Sequence, residues 1–316
     1  MTNTSIYIDY KTNDDFRRAE LYAGQLFVYS PCPSAVKLCE FARELIAEAF
    51  GSIDPLKAHE QTSIEDCATI LAKLKPQFIH HPKSKEYLQG ILSELGCDPT
   101  KTYFDVPRMR SAYPSDYLTS GIAYAFHAHR DTWYSAPFCQ LNWWMPIYPV
   151  NAHNCMALHS NYWARGIRNS SETYNYYRWN QENRQSAAQH VKSDTRVQPR
   201  AQEPLELDPQ IRLVCDVGGI FIFSAAHLHS TVPNTSGIAR YSIDFRTVHL
   251  DDVWNRRGAA NVDSACTGTT MRDYLRASDL THLPQEAIKL YDDGTEIVGR
   301  LVYEPAPSGG NPCHTR

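Results

Sequence analysis

Histidine and aspartate recur at two places in this chain in a pattern that could hold a metal ion. The first is Phe126-His127-Ala128-His129-Arg130-Asp131, where alternation along an extended segment would send His127, His129 and Asp131 to one face. The second is Ala226-His227-Leu228-His229, where the two histidines would share a face in the same way. Two imidazoles and one carboxylate suit iron(II): they can take one triangular face of the ion and leave the opposite positions for an oxo acid and O2. Four histidines (His127, His129, His227, His229) forming a closed set would instead suit zinc or nickel in a non-catalytic, cupin-like binding protein. A cupin dioxygenase with His and Glu ligands and no oxo acid is a third reading. Asp131 separates the first reading from the second, and an arginine placed to receive an oxo acid separates it from the third.

Such an arginine follows in residues 239–250. There Arg240, Ser242, Asp244 and Arg246 alternate with Tyr241, Ile243 and Phe245, so a strand would carry one polar and one apolar face. A polar face turned inward would line a site. A guanidinium meets a carboxylate with two parallel charge-assisted hydrogen bonds, which a lysine cannot reproduce. Arg240 and Arg246, on the same face, are the two candidates for this role.

The elements that must position these groups are legible in outline. Ala35, Leu38, Phe41, Ala42, Leu45, Ile46 and Ala49 recur at three- and four-residue steps, predicting a helix from Ser34 as N-cap to Gly51. Ser63 with Asp66 three residues on predicts a second helix, which Pro76 should stop, and residues 83–96 predict a third. From about Tyr103 short β-branched and aromatic runs bounded by Pro, Asn, Gly or Asp replace this period: 121–129, 139–150, 154–160, 211–224 and 239–250. Strands without regular intervening helices favour an antiparallel sandwich, jelly roll or barrel. The expected fold is therefore mainly β with flanking helices.

The expected organisation is one domain over 1–316: a mostly helical N-terminal layer (1–102), a β core (103–250) and a C-terminal extension (251–316). Residues 163–211 are too long for an ordinary connection and form an insertion or lid. Tyr174, Tyr176, Tyr177 and Trp179 argue for order within it. In the extension, 283–291 predicts a short helix, and the end from Ser308 is expected to fray.

A formal net charge of −4 and the lack of Lys/Arg clusters interleaved with aromatics exclude a nucleic-acid track. The first residues lack a basic and then apolar leader, and no stretch approaches a membrane span, so a cytoplasmic protein acting on small molecules is expected. The nine scattered cysteines, with no C-x-x-C pair, are expected to be reduced and buried; Cys139 and Cys155, near the site in sequence, are the two with scope for reactivity.

Taken together, His129-Arg130-Asp131, the run Gln140 to Tyr148 with Trp144, Asp216 to Phe221, His229-Ser230-Thr231-Val232-Pro233-Asn234 and Arg240 resemble the phytanoyl-CoA dioxygenase-like family of iron(II)/2-oxoglutarate oxygenases in order and spacing. The resemblance spans about 120–248. It departs from the family's L-P-G-[ST]-H turn, where this chain has Leu158-His159-Ser160-Asn161-Tyr162, and His159 and His153 are assigned to that altered loop in packing or surface roles.

The resemblance implies a double-stranded β-helix (jelly roll/cupin-like) core, with Fe(II), 2-oxoglutarate and O2 as cofactor and co-substrates. It implies His129, Asp131 and His229 as ligands, with His127 and His227 as neighbours, because only His229 keeps the spacing to Asn234 and Arg240. It implies Arg240 for the C5 carboxylate of 2-oxoglutarate, with Thr231 and Trp144 beside it. Gln140, Asn142 and Trp133 are expected to face the substrate, and Arg165, Arg168 and Arg178 in the insertion are available to an anionic group. Halogenating relatives carry Gly or Ala in place of the acid, so Asp131 implies hydroxylation, or desaturation, cyclisation or epimerisation at the same ligands.

Overall fold

The computed structural model describes residues 3–115, 117–118, 127–182, 196, 198–292, 294, 298 and 301. Its strands are β1 (Ile6–Ile8), β2 (Leu26–Tyr29), β3 (Thr102–Phe104), β4 (Arg108–Ala112), β5 (Leu141–Pro146), β6 (Met156–Leu158), β7 (Ile211–Leu213), β8 (Ile220–Ser224), β9 (His229–Thr231), β10 (Arg240–His249) and β11 (Leu275–Arg276). Its helices are α1 (Asp14–Tyr22), α2 (Pro33–Phe50), α3 (Ala58–Gln61), α4 (Ile64–His80), α5 (Pro82–Glu94), α6 (Tyr176–Glu182), α7 (Leu250–Asn255) and α8 (Gln285–Lys289).

The strands form two sheets. The larger runs β1-β2-β8-β5-β10-β3-β11, and β4 pairs with the first half of β10 ahead of β3. Among the described residues of this sheet, only β1 and β2 pair in parallel. The smaller sheet is β7-β6-β9, antiparallel throughout, and its β9 edge is extended by a bridge between His229 and His129.

Alternation along the large sheet sorts its side chains into two cores. Trp143, Met145, Ile220, Ile222, Tyr241, Ile243 and Phe245 pack against Leu38, Phe41, Leu71 and Phe78 of α2 and α4. The opposite face sends Leu26, Trp144, Phe221 and Phe223 onto Met156, Leu158 and Leu213 of the small sheet. The order of layers is thus helices, large sheet, small sheet, and the protein is β-rich with flanking helices as expected. On β10 the inward face is polar, and because β10 lies between β5 and β3/β4 it is a central strand and not a solvent-facing edge.

Several local expectations change. Cys32, not Ser34, is the N-cap of α2, and the Ser34 hydroxyl instead donates to Glu94 Oε1 (2.6 Å). Gly51 ends that helix at φ 58, where a side chain would be strained. Ser63 caps α4 by accepting from Asp66 N (3.1 Å). Pro76 does not stop α4, which continues to His80. An interior proline costs a helix about 3 kcal/mol. The added turn buries Phe78 completely against Phe41, and burying a side chain of that size returns roughly 1.5–3 kcal/mol. The run 211–224 is two strands in different sheets, turned at Gly218 (φ 79). The expected helix at 283–291 shortens to α8.

Most of the expected strand 121–129 and the end from Ser308 lie outside the described residues, as do 183–195 and 197 of the insertion. The described part of the insertion is anchored: Tyr174, Tyr176 and Tyr177 form one buried cluster, and the Tyr176 hydroxyl donates to Asp273. Among the described residues no helix is long and apolar enough to cross a membrane. All eight described cysteines are free. Burial pushes the Cys139 thiol up to about 12 and also raises that of Cys155, so neither is poised to react.

Candidate metal centre

His129 and Asp131 do not reach the site by strand alternation. His129 forms an isolated bridge in which its N–H donates to His229 O (3.0 Å) and its carbonyl accepts from His229 N (2.9 Å). Arg130 is extended, and Asp131 opens a 3-10 turn, Asp131–Tyr134, whose first N–H donates to Ala225 O (3.0 Å). Arg130 holds this turn from behind. Its guanidinium donates to Asp263 Oδ2 (3.0 Å) and to the carbonyls of Tyr162, Arg165 and Ala226. His229 comes from β9, which β6 keeps in register through Leu158.

The outcome is a buried cluster. One donor atom from each of His129, Asp131 and His229 lies within 4.8 Å of the others. His129 Nε2 is 3.5 Å and His229 Nε2 3.7 Å from Asp131 Oδ1. Donors bound at 2.0–2.2 Å around one ion sit roughly 3 Å apart, so a small contraction completes such a site. The other ring nitrogens are occupied: His129 Nδ1 faces His127 O at 2.7 Å and His229 Nδ1 faces His227 O at 3.0 Å. With Nδ1–H donating to a carbonyl, each Nε2 presents its lone pair to the cluster.

Electrostatics favour the ligating forms. Burial and the neighbouring His129 pull His229 down to about 4, leaving it neutral at physiological pH. Burial alone would push the Asp131 carboxyl up, but the neighbouring His129 and the charge of Arg246 outweigh it and hold the group well below the usual carboxylate range.

The cluster opens on a cavity of about 390 Å³. Arg240 lines it, 5% exposed, and its Nε and Nη1 have no hydrogen-bond partner among the described residues. Burial pulls this guanidinium down to about 10. A buried cation without a partner costs several kcal/mol, a cost an incoming carboxylate would relieve. Thr231 and Trp144 line the same cavity, as do Gln140 and Asn142. Arg246 is engaged by Asp105 (3.1 Å), Asp244 (3.4 Å) and Asp131 (3.6 Å), so of the two candidate arginines on β10 Arg240 is the one available to an oxo acid.

Other expected residues stand elsewhere. Trp133 is fully buried away from the cavity, donating from Nε1 to Asp263 Oδ1 (2.8 Å) and packing on Tyr162, Ile167 and Leu228. His227 turns from the cluster toward Gly24 O (3.2 Å) and lies against Trp163, because the chain is not extended from Ser224 to His229. His127 is exposed, so the four histidines do not form a closed set. His159 is a buried packing group bonded to Ser230 Oγ (2.9 Å), and His153 is exposed. Arg165, Arg168 and Arg178 are exposed and do not line the cavity.

The sequence reading missed Asp105, Asp263 and Tyr274, which brace the site from outside the 120–248 segment. It also missed Tyr134, whose ring lies 5.4 Å from that of His129 and leads through Tyr174 to Trp179 along one wall of the cavity. The aromatic density of the insertion was the available signal for that wall.

No family model and no curated protein matches the chain. It is similar to the solved structure of EvdO2 from Micromonospora carbonacea var. aurantiaca complexed with 2-oxoglutarate, at 11% identity over 76% of this chain and 92% of that one (TM-score 0.41). It is also similar to two non-heme alpha ketoglutarate dependent enzymes from nogalamycin biosynthesis. One is the carbocyclase SnoK, at 12% identity over 80% and 93% of the two chains (TM-score 0.36). The other is the epimerase SnoN, at 13% over 75% and 84% (TM-score 0.34). Likenesses this loose assign no role to any residue of this chain.

Proposed function

We propose that this chain is a non-haem iron(II)- and 2-oxoglutarate-dependent dioxygenase, one oxygenase domain on a double-stranded β-helix core, that oxidises a C–H bond of a small organic substrate. One observation carries the reading: a buried two-histidine, one-carboxylate cluster faces the same cavity as a buried guanidinium whose Nε and Nη1 have no hydrogen-bond partner among the described residues. A structural zinc or nickel site needs no such arginine, and a cupin dioxygenase without an oxo acid leaves it unexplained.

His129, Asp131 and His229 would hold the metal through Nε2, one carboxylate oxygen and Nε2. Three protein donors suit iron(II) and leave room for co-substrates. When bound, iron would supply activation of O2, whose four electrons would come two from 2-oxoglutarate, decarboxylated to succinate and CO2, and two from the substrate C–H bond. Arg240 would take the far carboxylate of 2-oxoglutarate through paired charge-assisted hydrogen bonds, with Thr231 and Trp144 beside it. Tyr134, Tyr174 and Trp179 would wall the substrate side and exclude water, the insertion acting as a lid. Asp131 in the acid position favours hydroxylation over halide transfer.

The test is anaerobic titration of the metal-free protein with Fe(II) and then 2-oxoglutarate, following the weak visible charge-transfer absorption of the chelate. The expected result is a band in the wild type that Arg240→Ala loses or greatly weakens while still binding iron. Iron binding with no band in either protein would refute the 2-oxoglutarate role.

A further inference from the structure

The two oxygens of Asp131 have different surroundings. Oδ1 faces the two imidazoles at 3.5 and 3.7 Å. Oδ2 faces away, with Gln140 Nε2 at 3.2 Å and Arg246 Nε at 3.6 Å. A carboxylate can ligate through one oxygen or both, and donors placed on one oxygen bias it toward ligation through the other.

Both donors are themselves fixed. Gln140 Nε2 also donates to Asn142 Oδ1 (2.8 Å), and Gln140 Oε1 accepts from the Tyr274 hydroxyl (2.7 Å). These contacts determine which end of the amide faces Asp131, because a carboxylate oxygen can only accept. Arg246 is tied to Asp105 at two points, by its backbone N–H to Oδ1 (2.7 Å) and by Nη1 to Oδ2 (3.1 Å). Register on β10 and β5 sets both: Arg246 pairs with Asn142, and Gln140 immediately precedes β5.

Building on the metal reading of this site, we infer that Gln140 and Arg246 are positioning residues that make Asp131 a one-oxygen ligand. By holding Oδ2 they keep a coordination position free for the co-substrates. Neither residue then serves the role its sequence position suggests: Gln140 acts through Asp131 and not on substrate, and Arg246 acts through Asp131 and not on an oxo acid.

The test uses Co(II) as the probe metal, with the dissociation constant and the visible ligand-field spectrum as readouts for wild type, Gln140→Met, Arg246→Gln and Arg246→Lys. Removing hydrogen-bond partners behind a ligand typically weakens metal binding about 10- to 100-fold. The expected result is a loss of that size in Gln140→Met and Arg246→Gln with an altered Co(II) spectrum, and partial recovery in Arg246→Lys. Far-UV circular dichroism identifies the variants that fold, and the Arg246 pair carries the comparison if the Gln140 variant does not. Wild-type affinity and an unchanged spectrum in the folded variants would overturn the inference while leaving the metal site standing. Failure of the wild type to bind Co(II) would overturn the metal reading itself, and this inference with it.

Discussion

His129 and His229 exchange both of their backbone hydrogen bonds, at 3.0 and 2.9 Å, although they lie on distant segments of the chain. The bridge, together with the carbonyls that receive their Nδ1 protons, brings the two imidazoles to a centroid separation of 4.3 Å. A metal bound by these rings clips the two segments together only in the folded state. Saturation at a hundredfold excess over the dissociation constant adds about 2.7 kcal/mol to stability. Calorimetric scans should therefore show a melting temperature raised by several degrees on adding Co(II), and no rise in Asp131→Ala. An equal rise in that variant would place the metal elsewhere.

Arg240 makes an opposite prediction for the metal-free protein. Its buried guanidinium leaves Nε and Nη1 without a hydrogen-bond partner among the described residues, so it should destabilise the empty protein in order to serve a ligand. Arg240→Met should raise the free energy of unfolding by about 1–3 kcal/mol and abolish the extra stability that 2-oxoglutarate gives the metal-loaded wild type. Urea melts with and without 2-oxoglutarate measure both effects. A destabilised variant that still responds to 2-oxoglutarate would count against the carboxylate role.

The sequence was most informative where physics is local. Three-and-four spacing marked α2, the Ser63–Asp66 pair marked the start of α4, and alternation on β10 separated Arg240, Asp244 and Arg246 from Tyr241, Ile243 and Phe245. It was least informative where distant segments meet. Asp131 reaches the cluster from a 3-10 turn held by Arg130 and Asp263, which no period in the residues around it encodes. Asp105 and Tyr274 fix the partners of Asp131 only because β3, β5, β10 and the 3-10 turn ending at Asp273 converge there. Pro76 misled because its local cost is offset by the burial of Phe78.

Trp133 illustrates the same division and carries its own prediction. Two residues after Asp131 it was expected to face substrate, yet its Nε1–H serves Asp263, which also receives Arg130 and the Ile167 N–H. Trp133→Phe should cost about 1–3 kcal/mol by leaving a buried acceptor short of one donor, and should weaken metal binding only through the slackened turn. Chemical denaturation beside Co(II) titration distinguishes this from a substrate role. A variant of unchanged stability would contradict it.

Lys75 gives a prediction in pH. It lies on α4 against β4, buried near Arg110, Cys67 and Asp244, and burial pulls its ammonium down to about 7. In the unfolded chain a lysine titrates near about 10.4. Between those values the unfolded state binds more protons than the folded state, so this residue's contribution to stability rises with pH. Below about 7 both states are protonated, and the full cost of burying the cation is present. Lys75→Met should therefore stabilise the protein most in mildly acidic solution, on the order of a few kcal/mol, and the gain should shrink as pH climbs through 7 toward 10. Denaturant unfolding of both proteins at pH 6 and pH 9 measures the difference. A gain that is equal at the two values, or larger at the higher one, would show that Lys75 is not a buried cation in the folded protein.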